Sequence, residues 1–358
     1  MPRRVAVVYN QPEPSRYDGR GEEKAVLGVL EAVAAVHTSL LEMGDAVCLL
    51  PLASPWEQAR IKLAALNVDV VFNLFEGFCG QPDTEALVPE MLESLGIPFT
   101  GCPAETLRSA LDKVNVKRAL VANGIPTTDF QVMTPETLAY FRLRFPCIVK
   151  PSGEDASHGI TSLSFVEDVN ALERQVRAVT ECYGNVALVE EFAAGREFNA
   201  TVMGNSRCDA LPPSEIVFTL PPGVPRLLSF AAKWEPDSVE FRGTGVTCPA
   251  EVSPGEAQTI AATAQSAFRL IGCRGYARVD MRRDGAGILN VIEVNPNPDI
   301  SPGTGAARQA KAAGMSYTEF IEKIIGLALE EPYALKDTPD AHRGQVRPDA
   351  HTGRHARI

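Results

Sequence analysis

The chain of 358 residues carries 34 lysines and arginines against 45 aspartates and glutamates, so its formal net charge is −11 at pH 7. This charge disfavours nonspecific binding to nucleic acid. No membrane span is recognisable, since no apolar run approaches about 18 residues. No secretory signal is recognisable at the N-terminus either. Eight dispersed cysteines without a C-x-x-C pair argue against structural zinc. They favour reduced thiols, so we expect a cytoplasmic protein. The length of the chain predicts about two to three domains.

Residues 1–108 are predicted to form an α/β lobe in which short apolar strands alternate with helical stretches, the pattern of a parallel sheet with crossover helices. The strands are expected at residues 5–9, 46–50, 68–74 and 98–100. After the first strand, apolar residues recur at three- and four-residue spacing from Val26 to Leu41. This spacing predicts a helix that ends at Gly44.

A central lobe is predicted at residues 109–190 and a third lobe at residues 191–335. The elements expected in the central lobe are a helix at 113–123, a strand at 147–150, a loop at 152–159, a strand at 160–165, a helix at 169–180 and a strand at 186–191. Helices are expected in the third lobe at 254–271, 304–313 and 317–330. Residues 336–358 are poor in large apolar groups, so a flexible tail is predicted there.

Two strand-like segments near the end of the chain each carry polar side chains on one face. In the first, the side-chain period of two places Arg278 and Asp280 together. The second places Glu293 and Asn295 together by the same rule, with Ile292 opposite. A hairpin of these strands would offer three oxygen ligands of the kind that Mg²⁺ prefers, beside a guanidinium suited to a developing oxyanion. The alternative is a solvated sheet face on which Arg278 pairs with an acid.

Groups suited to a nucleotide are found in the central lobe. Lys150 ends an apolar strand and precedes residues 152–159, which we call the phosphate loop because its small residues let backbone N–H groups approach phosphate. Few buried contacts are expected from such residues, so the loop is predicted to be mobile without nucleotide. Glu190 is a candidate acceptor for an adenine amino group and Glu197 a candidate ribose contact. Ordinary turns and solvated acids are the alternatives.

Five segments with chemical character stand in one order along the chain. They are residues 111–113, 145–160, 186–200, 275–281 and 292–298. In this order they resemble the ATP-grasp ligases and, within them, the D-alanine–D-alanine ligase family. The resemblance implies an α/β chain with α+β lobes, in which ATP lies between two sheet-containing lobes and the N-terminal lobe has a Rossmann-like parallel sheet. It also implies that ATP phosphorylates a carboxylate and that an amine displaces the phosphate.

The resemblance implies roles for single residues as well. Catalytic roles are implied for Arg278, Lys233 and Ser157. Contacts to ATP are implied for Lys113, Lys150, Glu190, Glu191, Phe192, Ala193, Glu197 and Asn295. Metal ligands are implied at Asp280, Glu293 and Asn295, for two Mg²⁺ ions that Mn²⁺ can replace.

The chain departs from the family pattern where substrates bind. Ala156 stands where the family has a serine before the serine at 157, a tryptophan replaces a tyrosine, and an acid replaces a histidine after the third strand. D-alanine is therefore not expected to be the best first substrate. Candidate substrate contacts are Glu22, Glu23, Glu76, Trp234, Asp299 and Ser301.

These observations predict an ATP- and Mg²⁺-dependent carboxylate–amine ligase that joins two amino acids. Its partners are expected to be small molecules, with no nucleic acid or membrane, and a homodimer is compatible with the resemblance. Three alternatives stay open: a different amino-acid pair or nonribosomal dipeptide, a non-amine acceptor, and a nucleotide-binding regulatory module without turnover.

Overall fold

The computed structural model of the chain describes residues 2–18, 28–184 and 186–330. The predicted tail and the substrate candidates Glu22 and Glu23 lie outside these residues. The described chain contains three β-sheets, and none of its helices is both long and apolar enough to cross a bilayer.

The first sheet is parallel, as predicted for the N-terminal lobe. Strands β1 (Arg4–Asn10), β2 (Ala46–Leu52) and β3 (Val70–Leu74) lie in the order β2-β1-β3. The helices of this part are α1 (Val29–Glu42), α2 (Trp56–Ala64), α3 (Leu87–Leu95) and α4 (Ala104–Leu111). The strand predicted at residues 98–100 is present only as a one-residue bridge, in which the Val71 N–H donates to the carbonyl of Pro98 and the Thr100 N–H to the carbonyl of Val71. Phe99 makes a single bridge to Val71, and Gly101, with a φ of +89°, then turns the chain away.

The central sheet is antiparallel. Strands β4 (Phe130–Met133), β5 (Cys147–Pro151), β6 (Phe165–Val166) and β7 (Ala187–Glu191) lie in the order β4-β7-β5-β6. Helices α5 (Lys113–Ala122) and α6 (Val169–Tyr183) belong to the same part of the chain. The strand predicted over residues 160–165 is wrong for most of its length. Thr161 and Ser164 bond each other's backbone N–H groups, which makes Ser162–Ser164 a 3₁₀ turn.

The third sheet is also antiparallel. Its strands are β8 (Glu197–Gly204), β9 (Cys208–Ala210), β10 (Ser214–Phe218), β11 (Thr244–Thr247), β12 (Gly275–Arg283) and β13 (Leu289–Asn295). They lie in the order β11-β10-β8-β12-β13, with β9 beside β8. The helices of this part are α7 (Phe230–Trp234), α8 (Val239–Arg242), α9 (Pro254–Ile271), α10 (Gly305–Ala312) and α11 (Tyr317–Leu329).

Helix α9 covers one face of the third sheet. Its Ile260, Ala264 and Phe268 are buried in one cluster with Val279 and Met281 of β12. Burying a large apolar side chain of this kind contributes about 1.5–3 kcal/mol, so this face is committed to the core. The side chains that alternate with Val279 and Met281 consequently point away from α9.

The end of the chain returns to the first sheet. Phe320, Ile321 and Ile324 of α11 are buried together with Val5 of β1 and Phe72 of β3. This packing fixes the first sheet next to the third, although the two are far apart in sequence. The domain limits given above stay a prediction.

Candidate active site

A cavity of about 590 Å³ is bounded by the carboxyl ends of β1 and β3, by the phosphate loop and by the polar faces of β8, β12 and β13. The predicted site residues that line it are Glu76, Lys113, Glu197, Lys233, Trp234, Arg278, Asp280, Glu293, Asn295 and Asp299. Lys150 and residues 190–193 are not part of this lining and belong to the central sheet and its edge.

The predicted hairpin is formed by β12 and β13, and its polar face lines the cavity. Asp280 pairs directly with Glu293 across the two strands, and Arg278 pairs with Asn295. Because directly opposed residues of antiparallel strands lie side by side, these four side chains share one surface. Strand periodicity in the sequence therefore identified a group that the fold brings together.

A β-bulge in β13 decides which of its side chains face the cavity. The register shifts between Asp280 and Met281, so Ile292 is an extra residue between Val291 and Glu293. Val291 is buried in the core although it lies two residues before Glu293, and Ile292 is only half-buried. The two-residue alternation of side chains is therefore interrupted in this strand. The prediction that Ile292 lies on the face opposite Glu293 holds only in part.

Each of the two carboxylates of the hairpin is paired with a cation. Arg278 donates from Nε and Nη2 to the two oxygens of Asp280, at 2.7 and 2.8 Å. Lys113 Nζ lies 2.8 Å from Glu293 Oε1. Burial by itself raises the pKa of Glu293, but the charges of Lys113 and then Lys150 outweigh it and lower this pKa to about 2. The arginine–acid pair, which was the alternative hypothesis for this face, is thus present.

The donor set fits Mg²⁺ together with a nucleotide. Among the described residues, no three His, Cys, Asp or Glu side chains converge to hold a metal by themselves. Asp280, Glu293 and Asn295 offer two carboxylates and one amide, and Asn295 Oδ1 is held by the N–H of Asn297 at 2.9 Å. Mg²⁺ commonly takes one or two carboxylates and completes its shell with water and phosphate oxygens. These residues fit a metal that ATP helps to hold.

Lys233 on α7 lines the cavity and forms no ion pair with another described residue. Burial, and then the guanidinium of Arg278, lower the pKa of Lys233. An anion in the cavity would favour its charged form. Glu197, unlike Lys233, has an ion-pair partner, because Arg282 Nη1 lies 3.1 Å from its Oε2. Burial raises the pKa of Glu197.

Glu190 lies in a buried cluster with two lysines. Lys150 Nζ is 2.5 Å from Oε1, Lys117 Nζ is 2.9 Å from Oε2, and Thr128 Oγ1 donates to Oε2 at 2.8 Å. Burial by itself raises the pKa of Glu190, but the two ammonium charges lower it to about 2. Lys117 was missed, since a lysine within a helix usually indicates a solvated face. Its spacing of four residues from Lys113 was the available signal.

The predicted adenine clamp includes the backbone after β7. The N–H groups of Glu191 and Phe192 already donate to the carbonyls of Asp129 and Pro146, each at 2.9 Å. Ala193 is buried, and its N–H donates to no carbonyl of the described chain. The clamp stays a prediction, with Ala193 as its available backbone donor.

The phosphate loop is closed over the cavity. Ser157 Oγ donates to the carbonyl of Leu228 at 3.3 Å, and Trp234 Nε1 donates to the carbonyl of Ala156, also at 3.3 Å. The predicted catalytic hydroxyl of Ser157 therefore holds the loop against the segment before α7.

Acidic side chains line the end of the cavity next to the first sheet. The side chain of Glu76 is exposed to the cavity and makes no hydrogen bond within the described chain. The surrounding protein limits its hydration, and this effect together with the charges of Asp299 and Asp155 raises the pKa of Glu76 to about 8. Glu85, which no motif indicated, lies there too. Ser301 is 2% exposed and does not line the cavity, contrary to its prediction as a substrate contact.

Comparisons with known proteins agree with this geometry. The family model described as the D-ala D-ala ligase C-terminus matches residues 120–326. An uncharacterised protein, y4sG, of Sinorhizobium fredii is 33% identical over 320 residues, which are 89% of this chain and 90% of that protein. The D-alanine–D-alanine ligase of Alcanivorax borkumensis is 31% identical over 313 residues, which are 87% of this chain and 92% of that protein.

The fold itself has solved relatives. The crystal structure of the D-alanine–D-alanine ligase from Bacillus anthracis complexed with ATP is similar, with a TM-score of 0.69, coverage of 91% of this chain and 97% of that chain, and 21% identity. The three sheets, the closed phosphate loop and the polar hairpin define an ATP-grasp ligase. The chain belongs to the D-alanine–D-alanine ligase family. The predicted fold class and the class of ATP-dependent ligase are confirmed.

Proposed function

We propose that the protein forms an amide bond between two amino acids and that D-alanine is not its preferred first substrate. ATP phosphorylates the carboxylate of the first amino acid. The amine nitrogen of the second then bonds to the carbonyl carbon, the C–O bond to phosphate breaks, and the nitrogen loses a proton. The products are a dipeptide, ADP and inorganic phosphate.

The cavity residues supply the charges that both steps need. Lys113, Lys233 and Arg278 all line the cavity. In this proposal the two lysines neutralise phosphate oxygens and Arg278 stabilises the oxyanion of the tetrahedral intermediate. When bound by the carboxylates of the hairpin, Mg²⁺ would shield the charge of the triphosphate. Two Mg²⁺ ions, replaceable by Mn²⁺, belong to this proposal, as do the ribose contact of Glu197 and an adenine contact at residues 190–193, for which the Ala193 N–H is the available donor.

The observation that carries the substrate proposal is the carboxyl group of Glu76, which faces the cavity and has no hydrogen-bond or ion-pair partner among the described residues. With its pKa raised to about 8, this carboxyl is mostly neutral at pH 7, and a cationic ligand group beside it would favour its charged form. The usual support for an ammonium is altered at the same time, because Ala156 has no hydroxyl and the Trp234 N–H already donates to the carbonyl of Ala156. A first substrate that is larger than D-alanine or carries a further cationic group accounts for these features together.

A panel of D- and L-amino-acid pairs tests this proposal, with kcat/KM measured by ADP release and products identified by mass spectrometry. We expect a pair other than D-alanine with D-alanine to give the highest value. We also expect Glu76→Gln to lower kcat/KM for the best pair by about tenfold or more, as for a lost hydrogen bond to a charged group. Glu57→Gln, on the exposed start of α2, is the control.

Dimerisation of D-alanine is the second candidate, because several relatives are D-alanine–D-alanine ligases. The highest kcat/KM for D-alanine with D-alanine would establish it and overturn the substrate proposal. A stable phosphorylated product would reveal a non-amine acceptor instead. A homodimer and a cytoplasmic location complete the proposal, the latter supported by eight free cysteines.

A further inference from the structure

Residues 15–18, which we call the strap, pack between the first sheet and the phosphate loop. The backbone N–H of Arg16 donates to the carbonyl of Cys79 at 3.3 Å. Tyr17 is 4% exposed, and its ring lies directly against Gly80, where a Cβ would come within 2.7 Å of two ring carbons. Because Gly80 also has a φ of +69°, this turn provides a seat for the tyrosine that a larger residue would disrupt.

The strap holds the phosphate loop through two residues of the loop. The ring of Tyr17 stacks on His158, with centroids 3.7 Å apart and ring planes 1° from parallel. The hydroxyl of Tyr17 donates to Glu154 Oε2 at 2.7 Å, and Arg16 Nη2 lies 2.6 and 2.7 Å from the two oxygens of Glu154. Glu154 and His158 are 3% and 5% exposed, so the expectation that this loop has few buried contacts is wrong.

Glu154 also contacts one of the proposed phosphate-binding lysines. Lys113 Nζ donates to the backbone carbonyl of Glu154 and is also paired with Glu293 of the hairpin. Glu154 thus contacts the strap through its side chain and a cavity lysine through its backbone. Opening the loop would break both sets of contacts and leave the charge of Glu154 without its cation.

We propose that Arg16 and Tyr17 are positioning residues that keep the phosphate loop closed during the reaction, so that the acyl phosphate reacts with the amine and not with water. This inference rests on the proposed function. In the wasteful reaction, the oxygen of water bonds to the carbonyl carbon, the C–O bond to phosphate breaks, and one proton is released. The first amino acid is regenerated, and ATP has been consumed without a dipeptide.

The test compares Tyr17→Phe and Arg16→Gln with the wild type and with Tyr140→Phe, a control at a tyrosine that is 67% exposed. The first readout is the ratio of ADP released to dipeptide formed with the best substrate pair. The second is hydrogen exchange of the amides of the phosphate loop. We expect exchange to rise about tenfold in both strap variants, since each loses a hydrogen bond to a buried charge. The ratio, close to one in the wild type, should rise with it.

Restoration of the ratio towards one by Arg16→Lys would support a positioning role for the charge. Unchanged exchange in the loop would overturn the inference. Faster exchange with an unchanged ratio would also overturn it, because the strap would then be merely structural. If the wild type formed no dipeptide from any pair, the proposed function would fail, and exchange measured with Mg²⁺ and a nonhydrolysable ATP analogue would still decide whether the strap holds the loop.

Discussion

The carboxylate of Glu293 has an observed ion pair and a proposed metal contact. It is paired with Lys113 in the described chain, and it is the residue of the hairpin best placed to share a metal with Asp280. Glu293→Gln keeps the shape and removes the charge. Because a bound metal contributes several kcal/mol of charge stabilisation, we expect kcat to fall at least about 100-fold. Steady-state assays at saturating Mg²⁺ measure this, and activity close to that of the wild type would contradict the metal assignment.

Arg278 is predicted to act on the reacting carbonyl and not on the nucleotide. Loss of one oxyanion donor lowers kcat by about 10²–10³, so Arg278→Ala should show this loss with little change in the Kd for ATP. Rate measurements combined with calorimetric titration of ATP separate the two effects. If nucleotide binding collapsed while kcat survived, Arg278 would be a structural partner of Asp280.

The cluster around Glu190 gives a prediction about stability and pH. The pKa of this carboxyl is lowered from 4.5 to about 2, so its stabilising contribution is complete above the higher value and is lost as the pH falls through the lower one. Glu190→Gln leaves Lys117 and Lys150 buried without a counterion, and we expect it to cost about 3–5 kcal/mol at neutral pH.

Urea unfolding at several pH values checks this prediction. The difference in unfolding free energy between the wild type and Glu190→Gln should shrink as the pH falls from about 4.5 towards about 2, because the wild-type carboxyl becomes neutral as well. A difference that is the same at neutral and acid pH would show that the charge of Glu190 is not what stabilises the cluster.

Site residues on regular strands could be predicted from the sequence, whereas site residues that meet only through tertiary packing could not. The polar face with Arg278 and Asp280 follows from the two-residue period of a strand. Glu85 and Tyr17 carry no such pattern, because only the folded chain brings their segments to the cavity. Lys117 could have been predicted only in part, because its helical spacing from Lys113 can be seen in the sequence but its burial cannot.

At the scale of elements, helix α5 carries both Lys113 and Lys117 and begins at a side-chain cap. Asp112 Oδ1 accepts the N–H groups of Val114 and Asn115, each at 3.0 Å. Asp112→Ala should lower the free energy of unfolding by about 1 kcal/mol and weaken ATP binding through the neighbouring lysine. Chemical denaturation and nucleotide titration measure the two effects. Asp112→Asn, which preserves an N-cap, is the control, and an equal loss in both variants would contradict the capping argument.

Elements were predictable where local signals agreed with the fold. Helix α9 was predicted with its observed limits, because Ser253 caps its start, proline follows, and Gly272 ends it with a φ of +77°. The strand prediction at residues 160–165 was wrong because hydrogen bonds from side chains to the backbone compete with strand pairing there. The bulge at Ile292 was not predicted, because an extra residue in a strand leaves no signal in the alternation of apolar side chains.

At the scale of the whole molecule, the order of motifs predicted the fold class, but not how the sheets meet. The cavity depends on α11 packing against the first sheet, and on the strap reaching the phosphate loop over more than a hundred residues of sequence. These contacts are specific to the folded state. The local patterns that indicate helices and strands contain no information about them.

Transfer of oxygen from the first amino acid to phosphate shows whether an acyl phosphate links ATP to amide formation. The first amino acid is supplied with its carboxylate oxygens labelled with heavy oxygen, and inorganic phosphate is analysed by mass spectrometry after turnover with Mg²⁺, ATP and an amine. Because the C–O bond to phosphate breaks when the amine attacks, we expect one labelled oxygen in each phosphate released per dipeptide. Phosphate free of label in a reaction that forms dipeptide would contradict it.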